Sequence, residues 1–98
     1  MIVHQVFFWL HNPEKDLKAV MEGCRKISST NTVEDFHVGV PAKTTPRDVV
    51  DLSFHLSLTV YFKSIKEHDL YQDDKIHHEF IAEHKDKWKA VKVYDFEI

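Results

Sequence analysis

The sequence predicts an α+β protein whose four strands form one antiparallel sheet, with the helices packed on one of its faces. Three observations lead to this prediction. Residues 2–10 are almost continuously apolar, and residues 53–62 alternate regularly between apolar and mixed positions. Residues 13–28 and 64–88 instead repeat apolar side chains at helical spacing. Because the 98 residues contain two glycines and no low-complexity tract, we expect a single domain over residues 1–98.

The N-terminal third predicts a central strand followed by a helix. Residues 2–10 are apolar or aromatic almost throughout, as a strand buried on both faces requires. Asn12 is a favourable N-cap and Pro13 a favourable first helical residue, so a helix is expected from Pro13 to about Ser28. Its apolar side carries Leu17, Val20, Met21, Cys24 and Ile27.

The middle of the chain predicts two further strands. Residues 33–40 indicate a short strand, in which Phe36, Val38 and Val40 alternate with other residues. Residues 41–48 contain two prolines and two threonines, residue types found in turns and loops, and are predicted to be an exposed loop. In residues 53–62 one face is apolar and the other is mixed, which is typical of a strand with one buried face.

The last third predicts a short helix, a longer helix and a closing strand. Ser64 and Glu67 have the spacing of a capping box, and the short helix is expected to end near Gln72. Asp73 or Asp74 can cap the next helix. Residues 91–98 form the final strand, so the element order is β-α-β-β-α-β, the ferredoxin-like pattern. One stripe of the longer helix carries His77, Phe80, Ile81, His84 and Trp88.

The sheet face opposite the helices predicts self-association. Strand alternation places several large apolar side chains on that face, and the helices of the same chain cannot cover them. Soluble monomers rarely expose an apolar patch of this size. We therefore expect a face-to-face homodimer, a dimeric α+β barrel. The residues on this face are Val3, Phe7, Trp9, Tyr61, Tyr94 and Phe96.

Composition argues against several classes of partner. The net charge of −3 leaves no basic surplus for nucleic acid. No apolar run approaches the about 20 residues of a membrane span, and residues 1–10 lack the features of a leader peptide, so a cytoplasmic location is expected.

The single cysteine, Cys24, lies among apolar helical residues and is interpreted as a buried packing residue.

Several segments, taken in order, resemble the stress-responsive A/B barrel family of dimeric α+β barrel domains. The resemblance covers nearly the whole chain. It implies homodimerisation more strongly than any reaction, because most members are known as folds rather than as activities. The segments are His4 at the start of an apolar strand, Phe36-His37-Val38-Gly39, residues 54–62, Leu70-Tyr71-Gln72, then His77, Phe80 and Trp88, and finally Val93-Tyr94-Asp95-Phe96.

A more distant resemblance, to the plant polyketide cyclase olivetolic acid cyclase, implies site residues. That enzyme uses a histidine as general base and a nearby tyrosine to orient or polarise a carbonyl group. The resemblance implies that His77 is the base, that Tyr71 is the tyrosine and that His4 is a second histidine of the pocket. The family's usual His-Pro pair is replaced here by Asp74-Lys75.

The residues themselves favour a small-molecule pocket between the helices and the sheet. His77 and His84 share the apolar helical stripe, and strand alternation places His4 on the facing side of the sheet. A mostly apolar pocket with a few polar groups is typical of such sites. The alternative is that His77 is a structural histidine with its hydrogen bonds satisfied in the core. The remaining predicted lining residues are Val6, Phe8, Leu10, Leu56, Leu58, Phe80 and Trp88.

We predict no metal site and no cofactor. His77 and His84 are two helical turns apart, about 10 Å along the axis, which is too far for one ion. The expected function is the binding of a small apolar ligand, with possible acid–base chemistry in which His77 removes a proton next to a carbonyl group. Two alternatives stay open: a non-catalytic, stress-associated or structural dimer, and a cofactor-independent oxygenase.

Overall fold

A computed structural model describes residues 1–98 and has the predicted ferredoxin-like architecture. The sheet has the strand order β2-β3-β1-β4, and each neighbouring pair of strands is antiparallel. The elements are β1 (Ile2–Leu10), α1 (Pro13–Ile27), β2 (Asp35–Gly39), β3 (Leu56–Phe62), α2 (Ile65–Asp73), α3 (Lys75–His84) and β4 (Trp88–Glu97), with a 3₁₀ turn at Lys85–Lys87.

Two of the three predicted helix starts form as expected. The side chain of Asn12 accepts a hydrogen bond from the Lys15 backbone N–H at 3.3 Å, and Pro13 is the first residue of α1. Asp74 accepts from the Ile76 N–H at 2.8 Å and caps α3. The capping box predicted before α2 is not formed, because the Ser64 hydroxyl donates to the Glu67 carboxylate instead of accepting from the backbone.

The prediction that Trp88 belongs to the last helix was wrong. Helix α3 ends at His84, a 3₁₀ turn follows, and Trp88 opens β4, where it pairs with Leu10. Its indole still packs between the two layers, with ring centroids 5.4 Å from Phe8 and 5.6 Å from Phe80. The side chain therefore reaches the expected place from a different element.

The core lies between the helices and the inner face of the sheet. Cys24 is fully buried there, as predicted, and burial raises the pKa of its thiol to about 12. None of the helices has the length and the apolarity that crossing a bilayer requires. The buried core residues are Ile2, Val6, Phe8, Leu10, Val20, Cys24, Ile27, Leu56, Leu58, Val60, Phe62, Tyr71 and Phe80.

The outer face of the sheet is aromatic, as predicted, but it is partly covered by the chain itself. The segment before β3 crosses it, so that the ring of Phe54 lies 4.9 Å from that of Phe7, and Trp9 Nε1 donates to Ser53 Oγ at 2.9 Å. Val3, which pairs with Tyr61 and Phe96 on either side, is only 3% exposed and is not part of the open patch. The large exposed side chains on this face are Tyr94 and Phe96.

Candidate functional site

A cavity of about 170 Å³ lies between α2 and α3 on one side and β1 and β4 on the other. Three polar side chains, those of His4, Gln72 and His77, reach it. The rest of the wall is apolar or aromatic, as is usual for a small-molecule site, although the volume is below the roughly 300 Å³ at which such sites usually begin. The other lining residues are Val6, Phe8, Ile27, Leu58, Tyr71, Phe80, Ile81, Trp88, Val91 and Val93.

Most of the residues predicted for the pocket line this cavity, but three of them do not. Leu10 and Leu56 are buried in the core away from it. His84 points instead toward α1, where its ring lies 5.0 Å from that of Phe80 and its Nδ1 accepts from Lys87 Nζ at 3.1 Å. The predicted residues that do line the cavity are His4, Val6, Phe8, Leu58, Tyr71, His77, Phe80 and Trp88.

His77 lies near the start of α3 and has no internal partner for its buried Nδ1. Its ring packs edge-on against Tyr71, with the centroids 4.9 Å apart. Burial lowers the pKa of His77, and the neighbouring His4 and His78 lower it further, while the Asp74 carboxylate opposes them. The imidazole is therefore mainly neutral at pH 7, the form in which it can accept a proton.

His4 lies on the central strand β1 and is 6% exposed. Its Nδ1 is 2.5 Å from Asp95 Oδ1, because the antiparallel register pairs residue 4 of β1 with residue 95 of β4. The side-chain amide of Gln72 lies 3.4 Å from the other ring nitrogen. Burial lowers the pKa of His4 although the Asp95 carboxylate acts to raise it. The Asp95 contact favours the tautomer with the proton on Nδ1, which leaves Nε2 to accept.

Tyr71 forms part of the cavity wall with its ring, and its hydroxyl is buried without a hydrogen-bond partner. Burial raises the pKa of this phenol, the Cys24 thiol adds to the effect, and the Ser28 hydroxyl opposes it. Because Cys24 and Ser28 lie at the end of α1, the hydroxyl is close to that helix. The phenol stays protonated at neutral pH and can act only through hydrogen bonds.

Gln72 and Asp95 are the two functional groups that the sequence analysis did not assign. Gln72 follows Tyr71 on α2, and only the placement of that helix over β1 turns its amide toward His4. Asp95 alternates with Val91 and Val93 on β4, so its side of the sheet could be read from the sequence. Its pairing with His4 needs the strand register, which alternation does not supply.

The comparison with family models decides the relationship of this chain. The model described as "Dabb: Stress Responsive A/B Barrel Domain" matches residues 2–98. The chain belongs to this family. Its fold is thus that of a stress responsive A/B barrel domain, as the resemblance predicted. No curated protein sequence matches this Dabb domain significantly.

Solved structures share the fold at low sequence identity. A Dabb family protein with a ferredoxin-like fold from Mesorhizobium loti is 19% identical, with 99% of this chain and 95% of that chain covered and a TM-score of 0.79. A dimeric ferredoxin-like protein of unknown function from Thermobifida fusca is 13% identical, with 99% and 90% covered and a TM-score of 0.77. A hydroxynitrile lyase from Passiflora edulis is 16% identical, with 99% and 92% covered and a TM-score of 0.80. At these identities the likeness is one of fold.

Proposed function

We propose that this Dabb domain binds a small, largely apolar carbonyl compound in the cavity and that His77 removes a proton next to the carbonyl group. The observation that supports this most directly is the presence of a neutral imidazole without an internal partner in the wall of an apolar cavity. The neutral form of histidine is the one that accepts a proton in general-base catalysis. The step would leave an enolate, whose oxygen needs a hydrogen-bond donor.

The cavity volume sets the size of the ligand. An apolar cavity of about 150 Å³ is large enough to hold one benzene ring, and the cavity here is about 170 Å³. The substrate class is therefore a ketone of roughly six or seven non-hydrogen atoms, or the corresponding end of a longer molecule that extends past β4. Val91 and Val93, which form that wall, are 41% and 46% exposed.

Tyr71 is the proposed hydrogen-bond donor to the carbonyl oxygen, and His4, whose Nε2 accepts, is proposed to hold the Gln72 amide as a further donor beside it. Asp95 holds one nitrogen of His4, and Gln72 supplies an amide beside the other. The Tyr71 hydroxyl is the second available donor, since it stays protonated and has no partner of its own. His4 and Gln72 form one polar corner of an otherwise apolar cavity, and the ring of Tyr71 lies beside it, with its centroid 6.2 Å from that of His4.

Proton exchange provides a direct test that does not require the natural substrate. Cyclohexanone and 2-pentanone are incubated with the protein in D₂O, and loss of the protons next to the carbonyl is followed by NMR. We expect exchange above the buffer rate for the wild type and for His78→Ala, since His78 is exposed and does not line the cavity. His77→Ala should exchange at the buffer rate, because the proposed base has been removed.

The binding part of the proposal has a separate readout. Trp88 lines the cavity, so its fluorescence should respond to either ketone in a Trp9→Phe background, which removes the other indole. Saturable binding without exchange would support the non-catalytic alternative and reject the role of His77. Exchange retained by His77→Ala would reject that role as well. Neither binding nor exchange by the wild type would refute the proposed function.

We further propose that the domain forms a homodimer through the outer face of its sheet. Tyr94 and Phe96, on the edge strand β4, are 52% and 48% exposed there, and a protein of the same fold is described as dimeric. Phe96→Glu should give a monomer by light scattering coupled to size-exclusion chromatography. Leu70→Glu is the matched control, because Leu70 is 51% exposed but lies on a helix. A monomeric wild type would contradict the proposal.

A further inference from the structure

We propose that His4, His68 and Asp95 form a binding site for a divalent transition-metal ion of the Zn²⁺ class, beside the cavity and sharing His4 with its wall. One ligand atom from each of the three side chains lies within 4.8 Å of the other two. Two imidazole nitrogens and one carboxylate oxygen are a donor set that Zn²⁺ and related ions prefer in proteins. No pair of these residues is adjacent in sequence, so the site depends on the fold.

The arrangement of His68 is the strongest observation in favour of this site. Its Nδ1 lies 3.0 Å from Asp69 Oδ1, which favours the proton on Nδ1 and leaves the lone pair on Nε2. That Nε2 is buried and has no hydrogen-bond partner. A carboxylate that fixes the outer nitrogen of a histidine is the usual support of a metal-binding histidine. A metal ion would satisfy this acceptor, for which the chain itself supplies no partner.

His4 and Asp95 supply the other two donors from neighbouring strands. Their side chains already touch, with Nδ1 and Oδ1 2.5 Å apart, and the His4 and His68 rings have centroids 5.0 Å apart. Asp95 lies beside Nδ1 of His4, and Gln72 lies beside Nε2. Whichever of the two nitrogens binds the ion, the remaining nitrogen therefore keeps a hydrogen-bonding neighbour. A metal between His4 and Asp95 would replace their shared proton and separate the two atoms slightly.

An entry route leads to these ligands from the surface. A groove of about 340 Å³ lies between the start of α2 and the end of β4, and His68, Asp69 and Asp95 form its polar side. The Asp95 side chain is 48% exposed, whereas that of His4 is 7% exposed. An ion would therefore bind at the base of the groove with three protein ligands and one position open to water. The remaining wall of the groove is formed by Ile2, Ile65, Phe96 and Glu97.

The same chain contains a second histidine–carboxylate pair that serves as a matched control. His37 Nε2 lies 3.6 Å from Asp35 Oδ2, but both side chains are about two-thirds exposed and no third ligand is near them. With eight histidines, the chain could also bind metal weakly at its surface. A comparison of His68 variants with His37 variants distinguishes the proposed site from such binding.

Equilibrium dialysis against Zn²⁺ with elemental analysis tests the proposal on the full chain. We expect one Zn²⁺ per wild-type chain, and the same for His37→Gln. His68→Gln and Asp95→Asn should each lose affinity by more than tenfold, and Asp69→Asn by about tenfold because it removes the supporting carboxylate. Asp95→Asn changes a half-exposed side chain and so keeps the test valid if His68→Gln fails to fold.

The geometry has an independent readout in Co²⁺. Cobalt bound in place of zinc by the wild type should show the visible absorption bands of a four-coordinate ion, and Asp95→Asn should lack them. Absence of a one-to-one complex would overturn the proposal. Equal affinity in wild type, His68→Gln and Asp95→Asn, or an equal loss in His37→Gln, would also overturn it, since both results point to surface binding.

Discussion

Replacing Gly23 by Ala is expected to destabilise the protein, although Ala is the better helix residue. Gly23 lies in α1 where that helix meets α3. A Cβ atom there would lie 2.7 Å from His84 Nε2 and 2.9 Å from Phe80 Cε1, closer than normal van der Waals contact. Both side chains are buried, at 4% and 6% exposure, and therefore have little room to move. The missing side chain thus allows the close approach of the two helices.

The magnitude follows from two opposing terms. Ala in place of Gly in a helix interior is favourable by about 0.8–1.0 kcal/mol. An added methyl group in a tightly packed contact costs about 1–3 kcal/mol. The expected net loss is therefore about 1 kcal/mol of unfolding free energy, which corresponds to a fall in Tm of about 4–8 °C for a domain of this size.

Urea denaturation of the wild type and of Gly23→Ala, followed by circular dichroism, measures the difference. Gly39→Ala is the control, because a Cβ at Gly39 would lie 3.6 Å from Ser57 Oγ, an ordinary contact. Its unfolding free energy should stay within about 0.5 kcal/mol of wild type. A Gly23→Ala variant more stable than wild type by the helix-propensity term would refute the proposed contact between α1 and α3.

Three further predictions concern the core, the pH dependence and the thiol. Leu56→Ala, at a fully buried position, should cost about 2–5 kcal/mol in urea denaturation, whereas Val93→Ala, at a half-exposed position, should cost less than about 1 kcal/mol; equal losses would contradict the assigned core. Burial lowers the pKa of His4 and His77 in the folded protein. In the unfolded chain these histidines have a pKa of about 6.5, so as the pH falls through this value the unfolded chain binds more protons than the folded one. The unfolding free energy should therefore fall as the pH drops from about 7.5 to 5.5, and a rise over this range would exclude buried neutral histidines. The pKa of Cys24 is raised to about 12, so an aromatic disulfide reagent at about pH 8 should modify this thiol only as fast as the protein unfolds; modification at the rate of a free thiol would contradict its burial.

Local sequence signals were sufficient for most of the fold. Strand β1 and helix α1 match their predicted bounds within one residue, because continuous apolar character and the Asn12-Pro13 start are local features. The start of β4 was not predicted. Residues 77–88 keep helical spacing to the end, and only the pairing of Trp88 with Leu10 makes Trp88 a strand residue. Local periodicity cannot report a partner elsewhere in the chain.

Site residues whose position depends on the pattern of a single strand were predicted, whereas those whose position depends on how two elements pack together were missed. Alternation along β1 placed His4, Val6 and Phe8 on the cavity side correctly. His77 and His84 lie on the same stripe of α3, two helical turns apart. His77 faces the cavity, whereas His84 faces α1, because the two ends of α3 have different neighbours. Helical spacing therefore shows that two residues share one face of a helix, but not which element each of them contacts.

Strand β4 connects the three proposals, because its two faces serve different purposes. Its inner face supplies Val93 to the cavity wall and Asp95 to the proposed metal ligands, and its outer face supplies Tyr94 and Phe96 to the proposed dimer interface. The main contacts of the helices with the sheet are to the other three strands, so β4 is held in the sheet mainly by its pairing with β1. A register shift of one residue would exchange the two faces. Covering the outer face in a dimer would therefore stabilise the register on which Asp95, and with it the polar corner around His4, depends.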